Sequence, residues 1–144
     1  MMVEHEEILH FSFASILPDN ATLALHPIKK TLAYLIDDDG RPRMEHIELF
    51  TDTELRVMLP LFENAPSYCP HEVLYASYTR GNTAEGTVAR CRTFLLEAQR
   101  TGVWDMEIRP LRNAMSRARL KLRAFGIDIK SLIDTGYLLV IRED

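Results

Sequence analysis

The sequence predicts an α+β fold in which an antiparallel sheet comes first, helices follow, and a β-hairpin closes the chain. Three observations carry this. Residues 1–50 hold short runs of β-branched, aromatic and aliphatic residues separated by Pro, Asn, Asp and Gly. From Thr51 onward, apolar residues recur at helical spacing. After Gly126 the pattern returns to two short apolar or alternating runs around Asp134-Thr135-Gly136. At 144 residues, residues 1–144 are expected to form one domain with a substantial core.

The strand-like runs are residues 8–14, 22–26, 31–36 and 43–49, so residues 1–50 read as a small meander. Asp39-Gly40 predicts a tight hairpin turn, because glycine accepts the positive φ that such turns need. Thr51 then offers a helix N-cap, with Glu54 at the capping-box distance. The helix it opens places Leu55, Met58, Leu59 and Phe62 at helical spacing, and Pro60 is expected to kink it. A second helix is predicted from Pro70, where proline suits the first turn, to Thr79. Residues 51–79 therefore hold two core helices. A third helix over residues 83–100 presents Val88, Cys91, Leu95 and Ala98 as its apolar face and stops at Thr101-Gly102; with its loops it fills residues 80–107. The segment 108–126 holds a fourth helix, over residues 109–125, and residues 127–141 form the hairpin.

The fourth helix is unlike the rest of the chain in charge. From Arg109 to Lys130 there are seven Lys or Arg against one acid, Asp128, a net +6 in a chain whose total is −4. The remainder carries −10. At about 100° per residue, Leu111, Ala114, Met115, Ala118, Leu122 and Phe125 form one apolar stripe. Arg112, Ser116, Arg119 and Arg123 follow one another on a separate face, with Asn113 and Arg117 alongside. Solvated helix faces usually alternate sign, whereas residues 109–125 contain no Asp or Glu. At roughly 1.5 Å per residue the segment is about 26 Å long, enough to lie in a DNA major groove. Concentrated positive charge on one helix of an acidic protein points to nucleic acid.

Strands, then helices, then a hairpin is the order of a winged helix-turn-helix, here with a three-helix core and one inserted helix. Met115-Ser116-Arg117-Ala118-Arg119-Leu120-Lys121-Leu122 resembles the recognition-helix core of the OmpR/PhoB-type winged-helix DNA-binding domain, written I-S-R-L-R-x-K-L. Ile129-Lys130-Ser131-Leu132 followed by Gly136-Tyr137 resembles that family's wing, and Phe50-Thr51 with Glu54 resembles the L-T-x-x-E that opens its first helix. Leu23-Ala24-Leu25-His26-Pro27, Asp39-Gly40-Arg41-Pro42 and Ile47-Glu48-Leu49 resemble its amino-terminal sheet. The likeness spans residues 23–139. It implies that Arg112, Asn113 and Arg117 face bases while Ser116 and Arg119 face phosphates. Arg109 and Arg123 complete the basic set, with Lys130 and Thr135 as polar contacts on the wing.

The chain also departs from the family pattern. The wing arginine corresponds to Ile133 and the following glycine to Asp134, which implies weak minor-groove insertion. The helix over residues 83–100 replaces a loop, and either it or the amino-terminal sheet is expected to serve a protein partner or a homodimer. No receiver domain is expected in the few residues before Leu23.

Enzyme chemistry is not expected. The five histidines lack metal-ligand spacing, and Asp37-Asp38-Asp39-Gly40 lacks the remaining ligands of a calcium loop. No phosphate loop or nucleophile elbow occurs, Cys69 has no base partner, and neither a cofactor nor a metal is expected. The acidic amino terminus is not followed by an apolar stretch of signal-peptide type, no run is long enough for a membrane span, and Cys69 and Cys91 stand apart. Together these suggest a cytoplasmic protein with reduced thiols. The expected function is sequence-specific binding of double-stranded DNA by a stand-alone transcription regulator. The alternative is a winged-helix protein-interaction module in which DNA binding is weakened or lost.

Overall fold

The apolar alternation of the amino-terminal runs resolves into four antiparallel strands, β1 (Leu9–Phe11), β2 (Ala21–His26), β3 (Thr31–Asp38) and β4 (Arg41–Leu49), in that order across the sheet. The computed structural model describes residues 7–133 and 135–142. In β2 the side chains of Ala21, Leu23 and Leu25 point into the core while Thr22, Ala24 and His26 alternate outward. β3 and β4 meet at a two-residue turn in which both Asp39 (φ 54°) and Gly40 (φ 82°) adopt the left-handed conformation, as the Asp-Gly pair predicts. The ladder continues past residues 36 and 43 right up to this turn, so both strands are longer than the apolar runs suggest. β1 is shorter. Phe13 has a φ of 42°, and its carbonyl accepts from the backbone N–H groups of Ile16 and Leu17, turning the chain so that both are buried.

α1 (Asp52–Asn64) starts with the capping box expected at Thr51. Thr51 Oγ1 accepts from the Glu54 backbone N–H at 3.3 Å, and Glu54 Oε1 accepts from the Thr51 N–H at 2.8 Å. The helix runs unbroken through Pro60. Proline has no N–H for the Arg56 carbonyl four residues back, and the hydroxyl of Ser77 donates to that carbonyl instead, at 2.5 Å. The donor comes from α2 (His71–Arg80), which ends at Gly81 in the left-handed conformation. α3 (Glu85–Thr101) likewise ends at Gly102, with Thr87 rather than Val88 the buried residue of its first turns.

α4 (Trp104–Leu122) begins well before Arg109, because one residue, Val103, is enough to separate it from the glycine that stops α3. Asp105 and Glu107 occupy its first turn, where the helix dipole favours acids, and Pro110 lies inside it. A 3-10 turn (Arg123–Phe125) and Gly126 lead into the hairpin β6 (Ile127–Leu132) and β7 (Gly136–Ile141). A two-residue strand absent from the sequence expectations, β5 (Cys69–Pro70), pairs with β7 and makes this a three-stranded sheet ordered β5-β7-β6. Gly136 makes that pairing possible, since a Cβ there would lie 2.0 Å from the Cys69 carbonyl oxygen.

The described residues thus form a mixed α+β structure of four α-helices and two antiparallel sheets. One hydrophobic core joins the inner face of the first sheet, α1, α4 and the inner face of the hairpin, with Leu23, Phe62, Leu111 and Ile127 among its buried members. Among the described residues no helix is long and apolar enough to cross a membrane.

Candidate nucleic-acid interface

The apolar stripe of α4 fixes which side of the helix remains outside. Leu111, Ala114, Met115, Ala118 and Leu122 are buried, as is Phe125 just beyond, and Ile108 extends the stripe one turn toward the amino end. The side chains of Arg109, Arg112, Asn113, Ser116, Arg117 and Arg119 are exposed, and Arg123 is half-buried. At helical spacing Arg112, Ser116 and Arg119 fall on the flank nearest the hairpin, where they line a cleft of about 180 Å³ with Ile129, Ser131 and Tyr137. Arg117 and Lys121 fall on the opposite flank, against α1. Between the flanks Arg109, Asn113 and Leu120 point farthest outward, and Leu120 is 66% exposed.

Acidic partners from elsewhere in the chain hold four of these cations. Arg112 Nη2 lies 3.1 Å from Asp105 Oδ1, two turns nearer the start of the helix. Arg119 donates from Nε to Oδ1 and from Nη2 to Oδ2 of Asp128 in β6, at 2.5 and 3.2 Å. That hydrogen bond holds the Asp128 carboxyl below its ordinary pKa and raises that of Arg119. On the far flank Lys121 Nζ donates to Glu54 Oε1 at 2.7 Å and to the Leu49 carbonyl at 3.0 Å, over the ring of Phe50. Arg117 Nε stands 3.8 Å from the other Glu54 oxygen. Burial of Glu54 disfavours its charge, but the hydrogen bonds from Lys121 and Thr51 outweigh this and lower its pKa.

The seven cations of residues 109–130 therefore face three partner carboxylates, Glu54, Asp105 and Asp128, which leaves a local +4. Arg109 and Lys130 have no carboxylate partner among the described residues. Lys130 is exposed on β6. Thr135 is fastened to the start of α2, its carbonyl accepting from the His71 N–H at 3.2 Å and its hydroxyl donating to the Ile133 carbonyl at 3.0 Å. Ile133, at the hairpin tip, is 87% exposed, and Asp134 lies outside the described residues. Sequence reasoning left Lys121, Glu54 and Asp105 out of this surface. Glu54 stood out as a capping residue, but nothing in its local pattern signals a partner 67 residues away.

α3 does not lie over this surface. It packs on α2, where Arg92 Nε meets Glu72 Oε2 at 2.9 Å and the rings of Phe94 and Tyr75 stack at 5.7 Å. The side chains of Arg112, Arg117 and Arg119 keep 48%, 52% and 46% of their accessibility, which is enough for each to reach a ligand. The imidazole of His71 meets Trp104 and Tyr137 edge-on, at 5.2 and 5.5 Å, and so ties the start of α4 to the hairpin. Behind this junction the thiol of Cys69 has its pKa pushed up to about 12, by burial first and then by Glu63 and Glu72, so it is not a nucleophile at neutral pH. Among the described residues no group of three His, Cys, Asp or Glu side chains could hold a metal ion. In comparisons with protein-family models, curated proteins and solved structures, the chain matches none.

Proposed function

We propose that this protein binds double-stranded DNA sequence-specifically, as a transcription regulator of winged helix-turn-helix architecture. The observation that carries this is the uncovered outer face of α4, where Arg109, Arg112, Asn113, Ser116 and Arg117 stand clear of α3. In this reading α1, α2 and α4 are the core helices, α3 is the insertion, and β6–β7 is the wing, in the manner of the OmpR/PhoB-type domain. α4 enters the major groove. Arginine offers paired donors to guanine and asparagine pairs with adenine, so Arg112, Asn113 and Arg117 are the residues that select sequence. Ser116, Arg119, Arg123 and Lys130 belong to the phosphate backbone.

The ion pairs refine this division. Arg119, anchored by Asp128, is held in one orientation and suits a fixed backbone contact better than an adaptable one. Arg117 is only loosely paired at 3.8 Å and is free to turn toward a base. Thr135 is tied down by the start of α2, and Ile133 replaces a cation at the wing tip, so contact there is weak.

A second reading, a protein-interaction module on the same scaffold, is favoured by Leu120 and Ile133, large apolar side chains exposed on α4 and on the hairpin tip. Titration of a labelled random-sequence duplex separates the two. DNA binding predicts affinity at low salt that the Arg112→Ala/Arg117→Ala double variant loses at least tenfold, with its fold intact by circular dichroism. The interaction module predicts no measurable affinity for either protein.

A further inference from the structure

We infer that the outer face of the first sheet is a homodimer interface, with a second copy of this chain as its occupant. This goes beyond the DNA reading and does not rest on it. The register places Ala24, Ala33 and Ile47 in one cross-strand row and Thr22, Leu35 and Met44 in the next, all on the side away from the core. Met44 and Ile47 are 57% and 50% exposed, although β4 carries Arg43, His46 and Glu48 on its other side. The amphipathy of β4 is thus inverted for a monomer, with apolar groups in water and polar groups on the core side. Among the outward positions of β2, β3 and β4, the sole Asp, Glu, Lys or Arg is Asp37, beside the turn. In a chain that is 26% charged, a whole sheet face almost without charge is a surface from which water is to be excluded.

Shape and size select the occupant. Each row runs from small on β2 to large on β4. A two-fold axis parallel to the strands, lying between two stacked sheets, sets β4 of one copy over β1 and β2 of the other, so large side chains meet small ones in both directions. Four strands about 4.8 Å apart and roughly six residues long give a footprint of about 20 Å by 20 Å. With side-chain relief this becomes roughly 600–700 Å² of accessible surface per copy, at the lower edge of what a specific dimer buries. A chain of net charge −4 meets its own copy here with little like-charge repulsion, because Asp37 is the one acid among the outward positions of β2, β3 and β4.

The test is sedimentation equilibrium of the full chain beside two charge-insertion variants, Ile47→Lys on the sheet and Leu96→Lys on the exposed side of α3. Each substituted side chain is exposed, and circular dichroism checks that both variants fold. The expected result is a dimer for the native chain at about 10 µM, an unchanged dimer for Leu96→Lys, and at least tenfold weaker association for Ile47→Lys. A native chain that stays monomeric up to about 100 µM overturns the inference, as does a dimer that survives Ile47→Lys. Loss of the dimer in Leu96→Lys alone assigns the interface to α3 and also overturns it.

Discussion

Lys121 and Glu54 are 67 residues apart in sequence, yet their 2.7 Å pair ties the last turns of α4 to the first turn of α1. Glu54 is 2% exposed, so removing its partner leaves a carboxylate buried with Arg117 as a distant second cation. Lys121→Ala is therefore expected to destabilise the fold by about 2–3 kcal/mol, measured by urea denaturation. The same site sets an acid limit. The folded-state pKa of Glu54 lies below its ordinary 4.5, so its contribution is fully present above that value and is lost as the pH falls through the lower, folded one. Glu54→Gln should accordingly flatten the dependence of stability on pH below about 4.5; an unchanged acid limb contradicts the assignment. At Gly136 the constraint is steric. Gly136→Ala puts a methyl group on the Cys69 backbone and is expected to cost about 3 kcal/mol or more, read from the same denaturation midpoint.

At the scale of elements, the two prolines inside helices show how context decides the cost of one residue type. Pro60 frees the Arg56 carbonyl, and Ser77 satisfies it from α2, so Ser77→Ala is expected to cost about 1–2 kcal/mol. Pro110 frees the Met106 carbonyl on a turn whose side chain is 59% exposed, and no side chain among the described residues compensates. Pro110→Ala should therefore stabilise α4 by about 1 kcal/mol or more, seen as a rise in melting temperature; a fall would mean that the proline stiffens the helix start. Much at this scale follows from local pattern. The capping box, the Asp39-Gly40 turn, the glycines that stop α3 and lead out of α4, and the core stripe of α4 are written in neighbouring residues. β5 is not, because two residues have no periodicity and Cys69–Pro70 becomes a strand only through β7. The early start of α4 is hidden by Gly102 and Pro110, which read as punctuation although only two residues, Gly102 and Val103, separate the two helices.

For the whole molecule the question is how its charge is deployed. Residues 109–130 read as +6 along the sequence, but Glu54 and Asp105 come from outside that window and bring the surface to +4. Their contribution is invisible in a linear count because it depends on which elements pack together. It also changes a measurable quantity. If the four unbalanced charges neutralise phosphates, log affinity should fall with log salt at a slope of about −3.6 rather than one nearer −5. Replacing Asp105 by Asn removes one acid from this surface, raises its charge to about +5 and should steepen that slope by roughly one. α3 leaves the basic face of α4 open while adding a layer behind α2, so that basic face and the nearly uncharged outer face of the first sheet are two separate surfaces.

If α4 reads sequence in duplex DNA, as proposed, the native chain must discriminate among duplexes. The most direct test is selection of bound duplexes from a random library by the native chain and by the Arg112→Ala/Arg117→Ala variant. The expected result is an enriched motif for the native chain that degrades at defined positions in the variant, with paired half-sites if the sheet dimer forms on DNA. Failure of the native chain to enrich any sequence over the starting library would contradict the proposal.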